Sequence, residues 1–450
     1  MKQETALNIL KCGHNVFLTG EAGSGKTYTL NLFRDFLKSK NINSDVIALT
    51  ASTGIASSHI GGTTIHSWSL MGIKDAMSFE EIQQLTQKKT KQKEKIEKAK
   101  VLIIDECGML HRNQFELASQ IISYIRQDSR PWGGLQLILT GDFLQLPPVD
   151  KNKTAEPDRN RFAFMSPLWK ESELKICYLT EQHRNDGGTL NAILNAIRKG
   201  TAGQAEVDLL FKNNAHSPNS KAMRLFTHNE NVDHINYIEL TKINSELKRF
   251  IADTEGNEQR LKTLTNSILA PKCLELKKDA KVIFVRNNFD LGFVNGTQGV
   301  ITGFEEDPES PAGFNPVVLT TDGDKIVVER ETWELLETNG KVAASFKQYP
   351  LKLAYAITIH KSQGMSLDEA RIDCGRSFEC GQGYVALSRL KSIEGLYIED
   401  INIQALELNK LAKKADVRFK ELSDENELLF SKLSVQELSK AHNAYFRTLL

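Results

Sequence analysis

The segment GEAGSGKT at residues 20–27 constrains the fold more than any other part of the chain. It follows the apolar run VFLTG, which predicts a buried strand, and it precedes a stretch with helical spacing of apolar residues. A strand, a glycine-rich turn and a helix in this order are typical of a phosphate-binding loop. Gly20, Gly23 and Gly25 let backbone N–H groups turn inward around phosphate oxygens. We expect Lys26 to neutralise the outer phosphates and the Thr27 hydroxyl to bind Mg²⁺.

The length and charge of the chain set wider limits. A chain of 450 residues is too long for one ordinary core, so at least two packed units are expected. Its 57 basic and 57 acidic residues cancel, which excludes binding of nucleic acid by bulk charge but not by a local basic groove. Six cysteines without a Cys-x-x-Cys pair favour a reducing compartment and no structural metal. Neither a targeting signal nor a membrane span is visible, so we expect a cytoplasmic protein.

Short apolar runs recur along the chain and predict an α/β fold. Runs at 46–49, 101–104 and 135–139 each end in small or acidic residues, as the strands of a parallel sheet wrapped by helices do. Near 282–304 the pattern changes to β-branched residues around Asn-Gly, which predicts a hairpin or a small barrel. An α/β pattern resumes near Leu353, so this β segment is interpreted as an insertion into a second sheet domain.

Acidic and polar residues follow two further predicted strands. Asp105 and Glu106 end the run VLIIDE, where the carboxyl ends of parallel strands face a ligand crevice. Asp105 would hold the Mg²⁺ shell, and Glu106 would polarise a water for attack on the γ-phosphate. The run LQLILTGD leads into FLQLPPV, which places Gln145 where it could sense the γ-phosphate. Taken alone, the two acids could be exposed residues at a strand end and Gln145 could be a solvated loop residue.

These motifs together resemble the superfamily-one helicases of the 5′→3′ branch, and most closely the petite-integration-frequency (PIF-type) DNA helicases. The resemblance also rests on longer blocks that occur in the family's order from near the N-terminus to about residue 398. They are TASTGIASSHIGGTTIHSW at 50–68, GDFLQLPPV at 141–149, FAFMSPLW at 162–169, LTEQHR at 179–184, AITIHKSQGMSLDEARID at 356–373 and YVALSRLKSIEGL at 384–396.

The resemblance implies two RecA-like parallel-sheet domains and a tail. The first would span 1–180 with a small wedge insertion at about 70–98. The second would span 181–400 with a β-barrel-like insertion at about 280–350. A helical tail at 401–450 is interpreted as core packing rather than a partner site. The lysine-rich stretch at 85–100 is either a solvated helix face or a contact to phosphate.

The resemblance also implies roles for residues that the local pattern leaves open. Arg184 and Arg389 would act as arginine fingers on the γ-phosphate, although either could be a surface ion pair when read alone. Gln3 resembles the glutamine that reads adenine ahead of the phosphate loop.

DNA contacts are expected in two blocks: Thr64 and His66 in the first, and Thr358, His360 and Lys361 in the second. His66 with Trp68 could instead be a packed core pair, and Lys361 could be a solvated lysine. The β insertion could clamp DNA or only brace the second domain.

The function implied is an ATP- and Mg²⁺-dependent 5′→3′ DNA helicase acting in replication, repair, recombination or telomere maintenance. Its partners would be single-stranded DNA and forked or tailed duplexes, with G-quadruplex DNA as a further candidate. A monomer is expected, with dimerisation on DNA as the alternative state. The short N-terminal region favours a bacterial or phage-type enzyme, or a trimmed helicase core. Two alternatives stay open: a RecD-type helicase subunit, and a DNA-stimulated ATPase clamp that does not unwind.

Overall fold

The computed structural model describes residues 1–72, 74–87, 90–148, 161–181, 188–212, 222–286, 288, 290–293, 296–308, 310–336 and 342–450. The chain divides into two compact units. The first unit comprises Met1–Thr201 together with Leu408–Leu450, and the second comprises Ala202–Glu407. The sequence had suggested boundaries at 180/181 and 400/401. Among the described helices, none is long and apolar enough to cross a membrane.

The first unit is built on a parallel sheet with the order β3-β2-β4-β5-β1-β6. Its strands are β1 Val16–Gly20, β2 Ile47–Ala51, β3 Thr63–Thr64, β4 Val101–Asp105, β5 Gln136–Thr140 and β6 Lys175–Leu179. The inner strands β1, β4 and β5 are almost continuously buried, as expected for a sheet covered on both faces. Their carboxyl ends meet at one edge, which is where the phosphate loop begins.

Helices of the first unit come from both parts of the chain. They are α1 Gln3–Lys11, α2 Lys26–Ser39, α3 Gly54–His59, α4 Ile65–Trp68, α5 Phe79–Thr86, α6 Lys91–Lys98, α7 Arg112–Arg126, α8 Pro167–Glu171, α9 Thr189–Lys199, α14 Lys410–Ser431 and α15 Val435–Leu449. Helices α5 and α6 fall inside the predicted wedge insertion. Together with α7 they line a cavity of about 960 Å³.

Helix α14, the longer of the two last helices, lies along the edge strand β6. The hydroxyl of Ser423 accepts a hydrogen bond from the backbone N–H of Tyr178 at 2.9 Å, and the side-chain amide of Asn426 donates to the carbonyl of Ile176 at 3.1 Å. The ring of Phe419 packs 5.1 Å from Phe17 of β1. Burial of an aromatic side chain of this kind contributes about 2–3 kcal/mol. The last helices are therefore part of the first unit's core.

The second unit combines a parallel sheet with antiparallel sheets. The parallel sheet has the order β18-β7-β19-β20, and the larger antiparallel sheet has the order β14-β13-β12-β11-β17. Further antiparallel pairs join β10 to β8 and β16 to both β15 and β9. The strands are β7 Met223–Phe226, β8 Lys248–Ile251, β9 Asp253–Gly256, β10 Cys273–Leu276, β11 Lys281–Phe284, β12 Gln298–Glu306, β13 Phe314–Thr320, β14 Lys325–Val327, β15 Glu331–Leu336, β16 Val342–Gln348, β17 Leu351–Leu353, β18 Ala356–Thr358, β19 Ala370–Cys374 and β20 Leu396–Ile401. The helices are α10 Gln204–Lys212, α11 Asn229–Lys242, α12 Glu258–Ser267 and α13 Gln382–Leu387.

The predicted α/β class with parallel sheets is confirmed in both units. The segment expected to form a β insertion is antiparallel, and β11 pairs with β12. The residues between these strands include Asn295, which lies outside the described residues. Its core contains buried residues from β11, β12, β13 and β17, such as Val282, Phe284, Ile301, Val318 and Leu351.

Candidate functional site

The phosphate loop lies between the buried strand β1 and helix α2. Gly23 and Gly25 adopt φ values of 84° and 83°, which favour glycine strongly over residues with a Cβ atom. Gly20 also has a positive φ, and a Cβ atom there would lie 2.6 Å from the carbonyl oxygen of Leu179. These three glycines are therefore required by the loop's backbone. Thr27 is exposed in the first turn of α2, as a hydroxyl that binds a metal beside a phosphate must be.

Lys26 points back into the loop. Its ammonium donates hydrogen bonds to the carbonyl oxygens of Gly20 and Glu21, both at 2.9 Å. Burial lowers the pKa of Lys26, and the nearby carboxylates of Asp142 and Glu106 offset part of that effect. A cation held at the N-terminus of a helix is suited to bind phosphate.

Asp105 and Glu106 lie at the carboxyl end of β4, as predicted. The Oδ1 atom of Asp105 accepts hydrogen bonds from the Thr140 hydroxyl and from the backbone N–H of Glu106, the latter at 2.9 Å. Burial raises the pKa of Asp105, although the hydrogen bond from Thr140 acts in the opposite direction. Glu106 has a φ of 50°, and its carbonyl accepts a hydrogen bond from the Ser52 hydroxyl at 2.6 Å. This left-handed backbone is uncommon for glutamate and turns the chain sharply after the strand.

The oxygen atoms of Asp105 and Thr27 are the type of ligand that Mg²⁺ prefers. Both hydrogen bonds to the Asp105 carboxylate end on Oδ1, which leaves Oδ2 for a cation. Within the described part of the chain, no group of three or more His, Cys, Asp or Glu residues is arranged as a metal site. Mg²⁺ binds one or two protein groups together with phosphate oxygens and water.

The segment after β5 is held by a buried carboxylate. Asp142 accepts hydrogen bonds from the Leu144 N–H at 3.0 Å and from the Arg198 guanidinium at 2.7 Å. The backbone N–H of Gln145 donates to the carbonyl of Asp142 at 3.2 Å, and the Gln145 side chain is buried. Sequence reasoning missed Arg198. The available signal was a charged residue on the buried face of α9, which also carries Leu190, Ile193, Leu194 and Ile197.

Gln3 contacts the phosphate loop directly. Its side-chain amide donates to the carbonyl oxygen of Ser24 at 3.3 Å, and its backbone N–H donates to the Glu181 carboxylate at 2.8 Å. Gln3 therefore lies at the nucleotide loop, as the resemblance implies.

The first candidate DNA block contains Thr64 and His66. The Thr64 hydroxyl accepts a hydrogen bond from the Ser67 N–H at 3.2 Å and so caps α4. His66 is half-buried, whereas Trp68 is only 5% exposed and therefore packs in the core. Gly62 is close to the protein's own β2, because a Cβ atom there would lie 2.3 Å from the carbonyl oxygen of Leu49.

The second block lies at the end of β18. Thr358 is buried, and its hydroxyl accepts a hydrogen bond from the Lys361 N–H at 3.4 Å. The ring of His360 stacks on exposed Phe378, with ring centroids 6.2 Å apart. Burial lowers the pKa of His360, while Glu379 opposes that shift. The ammonium of Lys361 donates to the Asn229 side chain at 3.1 Å.

Of the two predicted arginine fingers, the structure describes only Arg389. Arg184 lies outside the described residues. Arg389 is buried in the second unit, and it donates to the carbonyl of Val385 at 3.0 Å and to the hydroxyl of Ser388 at 2.9 Å. Its side chain therefore stabilises the segment after α13, a structural role that the sequence did not reveal.

The chain is similar to one protein family and to several named relatives. The sequence profile described as PIF1-like helicase matches residues 2–201, and that described as the DNA helicase Pif1 2B domain matches residues 260–304. The ATP-dependent DNA helicase Pif1 of Psychrobacter sp. is 41% identical over 99% of this chain and 74% of that protein. The ATP-dependent DNA helicase PIF1 of Xenopus laevis is 35% identical over 91% of this chain, which spans only 62% of that longer protein.

Two solved structures are also similar. The crystal structure of Pif1 helicase from Candida albicans has a TM-score of 0.80 and 31% identity, covering 92% of this chain and 98% of that one. Pif1 helicase from Bacteroides, in complex with ADP-AlF3 and single-stranded DNA, has a TM-score of 0.71 and 28% identity, covering 94% of this chain and 97% of that one.

Proposed function

Because the chain belongs to the PIF1-like helicase family, it is an ATP-dependent DNA helicase, and we propose that it moves 5′→3′ along single-stranded DNA and separates duplex DNA. The predicted family is thereby confirmed. The proposal that the chain hydrolyses ATP rests on one observation. Four charged residues meet at the carboxyl ends of neighbouring parallel strands: Lys26, Asp105, Glu106 and Asp142. Ligands of open α/β sheets bind at such an edge.

ATP hydrolysis is assigned to residues of the first unit. Lys26 would bind the outer phosphates, and Thr27 with Asp105 would hold Mg²⁺, which supplies positive charge against the phosphate oxygens. Glu106 would accept a proton from the attacking water, since it follows Asp105 directly at the strand end. Gln145 would sense the γ-phosphate from the segment that Asp142 holds.

Arg184 and Arg389 are proposed to stabilise the charge that develops during phosphoryl transfer. The support is the position of each arginine in its motif, LTEQHR for Arg184 and YVALSRL for Arg389.

Single-stranded DNA is the proposed substrate of both candidate blocks. Thr64 and His66 would contact the strand from the first unit, and His360 and Lys361 from the second. Thr358, being buried, would support the turn that carries His360 and Lys361. The similar Bacteroides protein was solved with single-stranded DNA, which supports this substrate.

Forked or tailed duplexes are the proposed unwinding substrates, with the region 70–98 as the wedge and the β insertion as a clamp. G-quadruplex DNA, dimerisation on DNA, and roles in repair, recombination and telomere maintenance are further parts of the proposal. The alternatives of a RecD-type subunit or a clamp that does not unwind are not favoured, because the relatives are named as Pif1 helicases.

Unwinding of matched tailed duplexes tests the proposal. The purified chain is mixed with ATP, Mg²⁺ and a duplex that carries either a 5′ tail or a 3′ tail. Strand separation is followed by fluorescence. We expect separation of the 5′-tailed duplex and none with the Lys26→Ala variant. Selective separation of the 3′-tailed duplex would overturn the polarity, and ATP hydrolysis without separation would favour the clamp.

A further inference from the structure

A buried arginine of α9 contacts four other segments of the first unit. Arg198, at the end of α9, is 6% exposed. Its guanidinium lies 2.7 Å from the Asp142 carboxylate after β5 and 3.1 Å from the Asp416 carboxylate on α14. It also lies 3.8 Å from the Glu21 carboxylate in the phosphate loop and donates to the Tyr178 hydroxyl at 2.6 Å. Buried charges are retained when they are paired, and here one cation serves three acids.

Asp142 is influenced by two cations. Burial acts to raise the pKa of Asp142, but the charges of Arg198 and Lys26, together with the hydrogen bonds from Arg198 and Leu144, lower it overall. Burial lowers the pKa of Lys26, and Asp142 is the first of the carboxylates that oppose this shift. Arg198 contacts this carboxylate directly, whereas the charge of Lys26 acts on it while the Lys26 ammonium is hydrogen-bonded to the Gly20 and Glu21 carbonyls. An ammonium that is paired with Asp142 is less available to a phosphate.

We propose that Arg198 is a positioning residue for nucleotide binding. Its guanidinium, anchored by Asp416 of α14, holds the Asp142 carboxylate and so keeps the Lys26 ammonium available for the phosphates of ATP. The inference rests on the proposed ATPase site. Through Asp416, helix α14 would therefore affect the affinity for ATP, although it is far from the nucleotide motifs in sequence.

Loss of the guanidinium should weaken ATP binding rather than the chemical step. In an Arg198→Met variant, Lys26 becomes the main cation for Asp142, and this ion pair competes with phosphate. We expect the KM for ATP to rise about tenfold with kcat changed less than about threefold, since ground-state binding is what is lost. Adding Asp142→Asn removes the competing carboxylate, so the double variant should recover most of the affinity. A purely structural role of Arg198 would not produce this recovery.

Two milder variants keep the test independent of folding. Arg198→Lys retains the charge but cannot reach both Asp142 and Asp416 with a planar fork, so an intermediate KM is expected. Asp416→Asn weakens the anchor from α14 and should raise KM about threefold. Tyr445→Phe is the matched control. It loosens the contact of α15 with Gln136, which lies at the opposite end of β5, and it should leave KM unchanged.

The experiment is steady-state ATP hydrolysis by the full chain at saturating single-stranded DNA, with the unfolding temperature of each variant measured beside it. Absence of DNA-stimulated hydrolysis in the unmodified chain would overturn the proposed function itself. With an active unmodified chain, the inference is overturned if the KM of Arg198→Met stays unchanged, or if the double variant is no better than the single one. Should Arg198→Met not fold, unchanged KM values in both Arg198→Lys and Asp416→Asn would overturn it instead.

Discussion

The side-chain amide of Gln3 donates a hydrogen bond to the carbonyl oxygen of Ser24 at 3.3 Å, which joins the first helix to the phosphate loop. An amide fixed beside this loop can read the hydrogen-bonding edge of adenine. We expect Gln3→Ala to raise the KM for ATP by roughly tenfold, equivalent to about 1.4 kcal/mol, and to reduce the preference for ATP over GTP. Steady-state hydrolysis of both nucleotides measures this. Lys2→Ala, at the neighbouring exposed position, is the control. An unchanged ATP/GTP ratio would contradict the assignment.

Removal of the Lys26 ammonium should separate nucleotide turnover from DNA binding. Lys26→Ala removes the cation that the loop carbonyls of Gly20 and Glu21 hold in place. Loss of such an electrostatic contact lowers turnover by about 10²–10³-fold. Fluorescence anisotropy with labelled single-stranded DNA should show affinity within about threefold of the unmodified chain. Near-normal DNA-stimulated turnover would refute the site.

Glu106→Gln should preserve ATP binding but stop hydrolysis. The amide has the shape of the carboxylate and keeps the left-handed backbone at φ 50° unchanged, yet it cannot accept a proton from water. We expect kcat to fall by about 10²–10⁴-fold with nucleotide affinity nearly constant. Equilibrium nucleotide binding and turnover, measured on the same preparation, check this. Equal losses in both would indicate damage to the loop instead.

Lys361 should contribute to DNA binding through a phosphate contact. Its ammonium is oriented by a hydrogen bond to Asn229, and the adjacent His360 stacks on exposed Phe378. Each phosphate contact on a single strand adds about 0.7 to the slope of log affinity against log salt. Lys361→Ala should therefore weaken binding and reduce that slope by about 0.7. Lys242→Ala, an exposed lysine paired with Glu239, is the control. A weaker affinity with an unchanged slope would argue for a structural role.

Mild acid should destabilise the first unit through His14. Burial lowers the pKa of His14, with a smaller effect of Lys175, from the ordinary value of 6.5. Below pH 6.5 the unfolded chain therefore binds more protons than the folded chain, and the free energy of unfolding falls as the pH decreases through the folded-state pKa. His14→Gln should make the unfolding temperature less dependent on pH between 7.5 and 5.5. An unchanged dependence would exclude His14 as a source.

The parts of the site that the sequence predicted are those in which neighbouring residues act together. The loop from Gly20 to Thr27 forms between β1 and α2, and Asp105 with Glu106 follows β4 directly, so local pattern was sufficient. Gln3 was placed by resemblance, and its bond to Ser24 agrees with that placement.

The parts that could not be predicted depend on distant residues. Arg198 is 56 positions from Asp142 and 218 from Asp416, so its partners become visible only in the folded unit. The sequence allowed Trp68 either to pack in the core or to stack on DNA, and its burial in the structure shows that it packs in the core. The hydrogen bonds of Arg389 to Val385 and Ser388 could not be predicted from its motif either.

The packing of α14 on the edge strand β6 also concerns the order of synthesis. Ser423 is 245 residues beyond its partner Tyr178, and Asn426 is 250 beyond Ile176. A ribosome must therefore translate nearly the whole chain before this strand receives its covering helix. A nascent first unit would expose an open sheet edge until then, and such edges invite pairing with other chains. The first unit is thus completed only after the second unit has been synthesised.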